Sequence, residues 1–508
     1  MTLSAAWQML KRNQVVVLLI LIIAIGTFLR LFQLGTESIW LDEASSLYES
    51  TLRFAEMSSH SNQPPLYFIL LHWWTIFFGT GEIALRSLSV ILGIIAVFIC
   101  YLVGKELISP KVGLIGSFVS AISQFYIFHS QDTRAYALLL LLSLASYLFF
   151  IRISKQDNIQ NYIWYFVANI LLGYTHIYGL FIITSQMLYF VIFWNKYKQQ
   201  RTRLLYTWIG TVVCLSPLVF LLGQNVVSIA GSGFWVPRPD LQSIFTTFFE
   251  YSSGFRIQEL SSTGEASQYH GLVWAKYILL AFFLLLAVTG AFFAGRKINK
   301  QFKKKTRDRL QARTPQMVLE LPNVNILLII WLFVPILVPF IISQVITPIY
   351  LARYTIGASP AFYLLIAKGM SVAGKKTMLS LLLVIAVFSS FGLYDYYSID
   401  IKEQWREVVG IISERAKQDD VLIFCKPYVQ LPFDYYYKGD LEEFGVPENA
   451  SAQDIAALVN NAIEGKSRLW LIVSNVSGLP PVVDYLKDNY SLVEWSGYRG
   501  IIVFLFDL

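Results

Sequence analysis

The chain has 508 residues, of which 56% are hydrophobic and only 14% are charged, and its formal net charge is +7. This composition excludes an ordinary soluble protein and predicts several membrane-spanning helices. In a membrane protein an excess of Lys and Arg is typical of cytoplasmic loops, so it does not indicate nucleic-acid binding. Three widely separated cysteines indicate neither a disulfide framework nor a Cys-based metal site.

A helix needs about 20 mostly apolar residues to cross a bilayer. We therefore predict a polytopic α-helical membrane protein with about eleven transmembrane helices. The shorter aromatic stretch 65–79 predicts a helix that lies in the membrane interface. The eleven candidate spans are 14–33, 83–104, 112–129, 135–153, 161–176, 178–195, 204–223, 272–294, 324–343, 353–370 and 376–394.

Loops rich in Lys and Arg alternate along the chain with loops that carry few cations, and the densest basic block is 295–313. By the positive-inside rule the basic loops and the N-terminus are cytoplasmic. An odd number of spans then places the C-terminus outside. We expect a multi-pass protein of the cytoplasmic (inner) membrane, with long outer loops at 34–82 and 224–271. We interpret the second of these as a mobile segment that shapes acceptor entry.

The composition changes near residue 396, which divides the chain into a membrane domain (1–395) and an extracytoplasmic domain (396–508). "QWREVVGIISERAKQDDVLIFC" predicts an amphipathic helix and a strand, and "SRLWLIVSN" and "YRGIIVFLFDL" predict two more strands. Helical patterns lie between them at 452–464 and 480–488. This tail is predicted to be a small α/β domain. It has no G-x-G-x-x-G or Walker A motif, so nucleotide binding is unsupported.

Unusual polar residues gather in four segments that share the predicted outer side. Taken singly, each has a structural explanation: a local ion pair, a hydrogen-bonded interface histidine or a snorkelling arginine. Their coincidence on one side indicates a site, since charge near hydrocarbon is costly. The residues are Asp42 and Glu43, then Asp132, Arg134 and Tyr136, then His176, and finally Arg353 and Tyr354.

These residue types suit transfer of a group from a phosphate leaving group. A carboxylate can remove a proton from a hydroxyl nucleophile, and arginines bind phosphate through paired hydrogen bonds. A sugar linked through phosphate to a polyprenyl lipid is a donor available at the outer membrane boundary. Such a donor requires no nucleotide, which agrees with the missing nucleotide motifs.

The ordered motifs "RLFQLGTESIWLDEASS", "QPPLYF", "SQDTRAYALLLLLSL", "YTHIYGLF" and "ARYTIGASPAFYLLIAKG" resemble the GT-C superfamily of membrane glycosyltransferases. The resemblance is to bacterial relatives of the protein O-mannosyltransferases and of the lipid A aminoarabinose transferases. It covers about residues 28–395, and "KEQWREVVGII" in the tail is also similar. It implies an inverting glycosyltransferase that uses a polyprenyl-phosphate sugar donor in the cell envelope.

The resemblance also implies roles for individual residues. By position, Asp42 matches the catalytic aspartate, a general base, with Glu43 beside it. Asp132 and Arg134 match a motif that supports the donor or its phosphate, and it continues to Tyr136. His176 matches a histidine with a donor or metal role, and Arg353, followed by Tyr354, matches an arginine near the lipid phosphate.

One departure concerns the residues before the Pro pair, where relatives commonly have His or Lys. Here Asn62 and Gln63 occupy those positions, with His60 slightly upstream. His60 and Gln63 are therefore additional candidate site residues. We expect no essential cofactor, with a divalent metal ion as an open alternative.

The residues leave other classes open. A transporter or flippase of lipid-linked sugars would also have many spans with intramembrane charges, although it would favour polar residues at mid-bilayer and inverted repeats. A membrane scaffold that presents the tail domain is a second alternative. The sequence does not reveal which sugar is moved, nor whether a glycan, a lipid or a protein accepts it.

Overall fold

The computed structural model describes residues 13–53, 56–57, 63–232, 236–254, 273–293, 321–448, 450–474 and 479–508. Up to Ser398 the described chain is mainly helical. Its helices are α1 (Gln14–Leu31), α2 (Leu41–Thr51), α3 (Leu66–Phe78), α4 (Glu82–Leu107), α5 (Pro110–Ile122), α6 (Gln124–Ser130), α7 (Tyr136–Lys155), α8 (Ile159–Thr175), α9 (Tyr178–Ile192), α10 (Arg201–Ser232), α11 (Leu241–Ser253), α12 (Val273–Val288), α13 (Val324–Val345), α14 (Ser359–Ser371) and α15 (Lys375–Ser398).

Seven helices in the described ranges are long and apolar enough to cross a bilayer, and there are eight if the bent pair α5 and α6 forms one span. Helices α8, α9 and α14 are shorter, with 17, 15 and 13 residues. A described helix lies at each of the eleven predicted segments. The prediction of a multi-pass helical membrane protein is confirmed, while the number of spans stays a prediction.

The bent pair brings one motif into the protein interior. Helices α5 and α6 meet at 62°. At the break, the Ser123 side chain accepts a hydrogen bond from the Tyr126 backbone and so caps α6. The Ser123 hydroxyl also bonds that of Tyr363, and the Tyr126 hydroxyl bonds that of Ser359, at 2.8 and 2.6 Å. These contacts with α14 fix α6, which leads directly into the loop that carries Asp132.

The two long connections predicted as outer loops contain helices. Segment 34–82 contains α2 and α3, and α3 exposes Trp73, Phe77 and Phe78. The predicted interfacial helix therefore exists, and its position in a membrane stays a prediction. Segment 224–271 contains the end of α10 and all of α11, which the sequence interpretation did not include. Residues 255–272 lie outside the described ranges.

A capping box starts α11 and marks it in the sequence. The Asp240 side chain accepts a hydrogen bond from the Ser243 backbone at 2.9 Å, and the Ser243 hydroxyl accepts one from the Asp240 backbone at 3.2 Å. Further along α11, the Tyr251 hydroxyl donates to the Thr355 carbonyl at 2.7 Å. These contacts join α11 to the segment that carries Arg353.

The tail forms a five-stranded mixed sheet, which confirms the predicted small α/β unit. Its strand order is β2-β1-β3-β5-β4; the β1 pairings with β2 and β3 are parallel, and the β5 pairings with β3 and β4 are antiparallel. The strands are β1 (Asp420–Cys425), β2 (Glu442–Val446), β3 (Arg468–Ser474), β4 (Ser491–Tyr498) and β5 (Ile501–Asp507). The helices are α16 (Trp405–Arg415), α17 (Gln430–Tyr436), α18 (Ala452–Ala462) and α19 (Pro481–Asn489).

The sequence predicted the three buried strands of this sheet and missed the other two. Strands β1, β3 and β5 are almost entirely buried, so they carry continuous apolar runs. Strands β2 and β4 lie at the two edges, and most of their residues are partly or fully exposed. Their mixed composition therefore lacks the apolar pattern on which the strand predictions depend.

Candidate active site

Helix α2 presents two adjacent carboxylates at its first turn. It begins at Leu41, and Asp42 and Glu43 lie beside its N-terminus, where the helix dipole favours negative charge. Successive side chains of an α-helix point about 100° apart. Asp42 and Glu43 consequently face different surroundings, and the structure assigns them different neighbours.

Glu43 is completely buried, and both of its carboxylate oxygens have hydrogen-bond or ion-pair partners. Arg86 from α4 binds it through two parallel hydrogen bonds of 2.8 and 2.9 Å. The Lys402 ammonium lies 3.0 Å from its Oε1 atom, and the Thr133 backbone donates to the same oxygen at 3.1 Å. Burial raises the pKa of Glu43, but Arg86 and Lys402 outweigh it and hold the pKa at about 2. This environment favours a permanently ionised anchor over a proton-transfer group.

Arg86 was not identified from the sequence. Besides binding Glu43, its guanidinium donates to the carbonyls of Leu34, Glu37 and Ser38, each at 2.9 Å. It therefore ties the segment before α2 to the membrane helix α4. The available indication was an arginine within an apolar span, because a charge there requires a specific partner.

Asp42 has the opposite environment. Its side chain is 27% exposed, and its Oδ2 atom lies 3.9 Å from Arg134 Nε and 3.7 Å from Arg353 Nη1. Both distances exceed the hydrogen-bond range. Arg134 is held instead by the Asp42 carbonyl and the Ser46 hydroxyl, at 3.3 and 3.2 Å. A partly accessible carboxylate thus lies between two guanidiniums that come from separate segments.

Asp132 lies behind this group. Its side chain is only 1% exposed, and its Oδ1 atom accepts a hydrogen bond from the Trp40 indole at 3.0 Å. Lys402 Nζ lies 4.0 Å from the same oxygen. Burial raises the pKa of Asp132 to about 6, against the opposing effect of Lys402. Asp132 therefore retains a proton at higher pH than an ordinary aspartate does.

Aromatic rings form one side of the site. The His176 ring centroid is 4.9 Å from that of Tyr354 and 6.3 Å from that of Tyr136, and the rings of Tyr136 and Tyr354 stack at 6.1 Å. The Tyr178 backbone donates to His176 Nδ1 at 3.2 Å, which places the proton of a neutral His176 on Nε2. Within the described residues, the buried Tyr136 hydroxyl has no hydrogen-bond partner.

The structure thus brings the four predicted polar segments together. Asp42 lies 3.9 Å from Arg134 and 3.7 Å from Arg353, and Tyr354 follows Arg353 into the aromatic cluster. A family model described as dolichyl-phosphate-mannose-protein mannosyltransferase matches residues 62–222. No curated protein sequence matches the chain.

The architecture is similar to solved glycosyltransferase structures along nearly the whole chain. ArnT from Cupriavidus metallidurans in the apo state matches with a TM-score of 0.57 and 10% identity, covering 99% of this chain and 98% of its own. The same protein bound to undecaprenyl phosphate matches with a TM-score of 0.54 and 11% identity, over 96% and 97%.

An oligosaccharyltransferase of Archaeoglobus fulgidus tethered with an acceptor peptide matches with a TM-score of 0.53 and 13% identity, over 91% of this chain and 69% of its own. The chain has the fold of a GT-C glycosyltransferase. The resemblance to this superfamily is therefore confirmed. The GT-C fold does not by itself assign the site residues, whose roles stay predictions.

In this GT-C fold the remaining candidates are the residues before the Pro pair. Gln63 lies just before α3, and His60 and Asn62 lie outside the described residues. Within the described ranges, no three His, Cys, Asp or Glu side chains are grouped closely enough to hold a metal ion. The described geometry therefore assigns no metal ligands.

Proposed function

We propose that this protein transfers a sugar from a polyprenyl-phosphate donor to an acceptor hydroxyl, at the outer face of the cytoplasmic membrane. The observation that carries the proposal is the position of Asp42. Its carboxylate is partly exposed and lies within 4 Å of two guanidiniums, Arg134 and Arg353, from segments far apart in sequence. A base beside a phosphate-binding pair is the arrangement that this reaction requires.

In the proposed mechanism Asp42 accepts the proton of the acceptor hydroxyl. The acceptor oxygen attacks the anomeric carbon of the sugar and forms the new glycosidic bond. The bond between that carbon and the lipid phosphate breaks, and the phosphate oxygen leaves with the electron pair. Attack opposite the leaving group inverts the anomeric configuration.

The arginines are proposed to stabilise the charge that grows on the leaving phosphate. Their contacts with Asp42 are 3.9 and 3.7 Å, longer than hydrogen bonds, so neither is locked onto that carboxylate. Phosphate oxygens can therefore replace the Asp42 interaction at small cost. The aromatic cluster of His176, Tyr136 and Tyr354 would lie beside the donor. The buried Asp132 would support the site from behind, through its contacts with Trp40 and Lys402.

The choice of donor and acceptor rests on similarity as well as on this geometry. The ArnT neighbour was solved with undecaprenyl phosphate, which supports a lipid phosphate as the product of the reaction here. The partners we propose are a polyprenyl-phosphate sugar, membrane lipid, and an acceptor that is a glycan, a lipid or a protein. We propose no nucleic-acid partner and no essential cofactor.

The proposal is tested by incubating the purified protein with synthetic polyprenyl-phospho-sugars and measuring released polyprenyl phosphate by mass spectrometry. Asp42→Asn should abolish release. Asp157→Asn is the matched control, because Asp157 forms an ion pair of 3.1 Å with Arg203 away from the site. Wild-type release by Asp42→Asn would refute the assigned base. No release with any donor, even with membrane extract as an acceptor source, would favour the transporter or flippase.

A further inference from the structure

The start of the tail passes directly behind the candidate active site. Helix α15 ends at Ser398, and α16 begins at Trp405. Between them lies Lys402, whose side chain is only 3% exposed although it is outside any described helix or strand. A buried lysine requires compensating partners, because removing its charge from water is costly.

Those partners come from two separate parts of the site. The Lys402 ammonium lies 3.0 Å from Glu43 Oε1 on α2 and 4.0 Å from Asp132 Oδ1 before α7. It also donates to the Gln131 carbonyl at 3.0 Å. One cation from the tail thus joins the segment of the candidate base to the segment of Arg134.

Neighbouring tail residues contact the same loop. The Ile39 backbone donates to the Tyr436 hydroxyl at 2.7 Å, and the Leu41 backbone donates to the Glu403 carboxylate at 3.3 Å. Arg406 forms an ion pair of 2.5 Å with Glu82. These contacts dock the tail, but Lys402 differs from them because its charge lies between two acidic groups of the site.

We propose that Lys402 is a positioning residue that holds the Asp132 loop against the first turn of α2 and thereby fixes Asp42 relative to Arg134. This inference rests on the proposed transferase function. It gives the tail a defined part in the reaction, because the tail supplies the cation that compensates the negative charges of Glu43 and Asp132. Lys402 itself need not touch the donor or the acceptor.

The same geometry makes the activity depend on pH. We take the ionised form of Asp132 as the active one, because it accepts the Trp40 hydrogen bond and attracts Lys402. Loss of Lys402 removes a positive charge that lowers the pKa of Asp132, so that pKa should rise further above its present value of about 6. The charged groups that face this cluster are Glu37, Asp42, Glu43, Arg86, Arg134, Arg353, Lys402 and Glu403, and the titratable Tyr67 and Tyr396 also interact with Asp132.

The experiment compares Lys402→Met and Lys402→Arg with two controls in the full-length protein. Arg406→Met removes a docking ion pair but no charge next to Asp132. Lys466→Met removes a tail lysine that pairs with Glu442 within the tail. Transfer is measured as kcat and KM between pH 5 and 9, and the thermal unfolding midpoint of each variant is recorded.

Lys402→Met should lower kcat at neutral pH at least about tenfold. It should also shift the acidic limb of the pH profile, the range in which transfer falls as the pH is lowered, upward by about one pH unit. That value is the lower end of the shift expected from a neighbouring charge. Lys402→Arg should restore most of the wild-type kcat and most of the wild-type pH profile, and Lys466→Met should match the wild type.

An unshifted pH profile for Lys402→Met would overturn the proposal. An equal shift for Arg406→Met would also overturn it and assign the effect to docking. If Lys402→Met does not fold, Lys402→Gln replaces it, because its amide can still donate to the Gln131 carbonyl, and an unshifted pH profile of that variant would overturn the proposal. A wild-type protein that releases no polyprenyl phosphate would instead refute the transferase function.

Discussion

The surroundings of Asp42 and Glu43 differ sharply although the two residues are adjacent in α2. Glu43 is fully buried and bound by Arg86, Lys402 and Thr133 within hydrogen-bonding distance. Asp42 is 27% exposed, and its two arginine neighbours remain at 3.7 and 3.9 Å. One carboxylate is satisfied by the protein, and the other retains the capacity to interact with a substrate.

The difference shows how one helical turn can present a partly exposed carboxylate next to a buried and fully bound one. The Glu43 side of α2 is fixed to α4 and to the tail, so the first turn of the helix cannot rotate freely. Because Asp42 is the preceding residue in the same turn, its direction is set by those contacts. Glu43 can thus preserve the geometry of the site without taking part in proton transfer.

The largest effect is expected from Asp42→Asn. The amide retains the shape of the side chain but cannot accept a proton, and general-base catalysis contributes about 10²–10⁴-fold. We expect a loss of transfer in that range without a loss of folded protein, because the Asp42 side chain is not bound by hydrogen bonds to the arginines. Transfer rates and thermal unfolding midpoints, measured on the same preparation, check this.

Glu43→Gln should mainly lower the stability of the fold, whereas Asp42→Asn mainly lowers the transfer rate. Removing one partner of a buried ion pair typically costs about 3–5 kcal/mol. Glu106→Gln is the matched control: its ion pair with Arg152 is of the same type, at 2.7 Å, but is partly exposed and should contribute at most about 1 kcal/mol. Unfolding titrations in mixed micelles measure both variants. Equal destabilisation by the two substitutions would show that burial does not strengthen the dependence of the fold on the Glu43–Arg86 pair.

The pH dependence of stability provides a second measure of Glu43. Its folded pKa of about 2 lies below its ordinary value of 4.5, so ionised Glu43 stabilises the fold at pH values above 4.5. That contribution should be lost as the pH falls from 4.5 towards 2. Glu43→Gln should therefore lose less stability over this interval than the wild type. A parallel decline in both proteins would show that Glu43 is not the group responsible.

The sequence predicted the convergence at the site better than it predicted the individual environments. Hydrophobic length and the Lys and Arg pattern placed Asp42, Asp132, His176 and Arg353 on one side, because both depend on local composition. They could not show that Glu43 binds Arg86, since that pair joins α2 to α4 across 43 positions. The role of Lys402 could not be predicted for the same reason, because its partners lie more than 250 positions away in the sequence.

The smallest effect is expected from Trp40→Phe. The indole donates one hydrogen bond to Asp132 Oδ1, and a hydrogen bond to the charged form of a carboxylate lowers its pKa. Its loss should raise the pKa of Asp132 and move the acidic limb of transfer upward, by less than Lys402→Met does, because a neutral donor acts more weakly than a full charge. Trp74→Phe is the control, since its indole donates to the Ala84 carbonyl and the Ser87 hydroxyl, away from Asp132. A shift for Trp40→Phe as large as that for Lys402→Met would mean that Asp132 is positioned mainly by the residue preceding α2 and not by the tail.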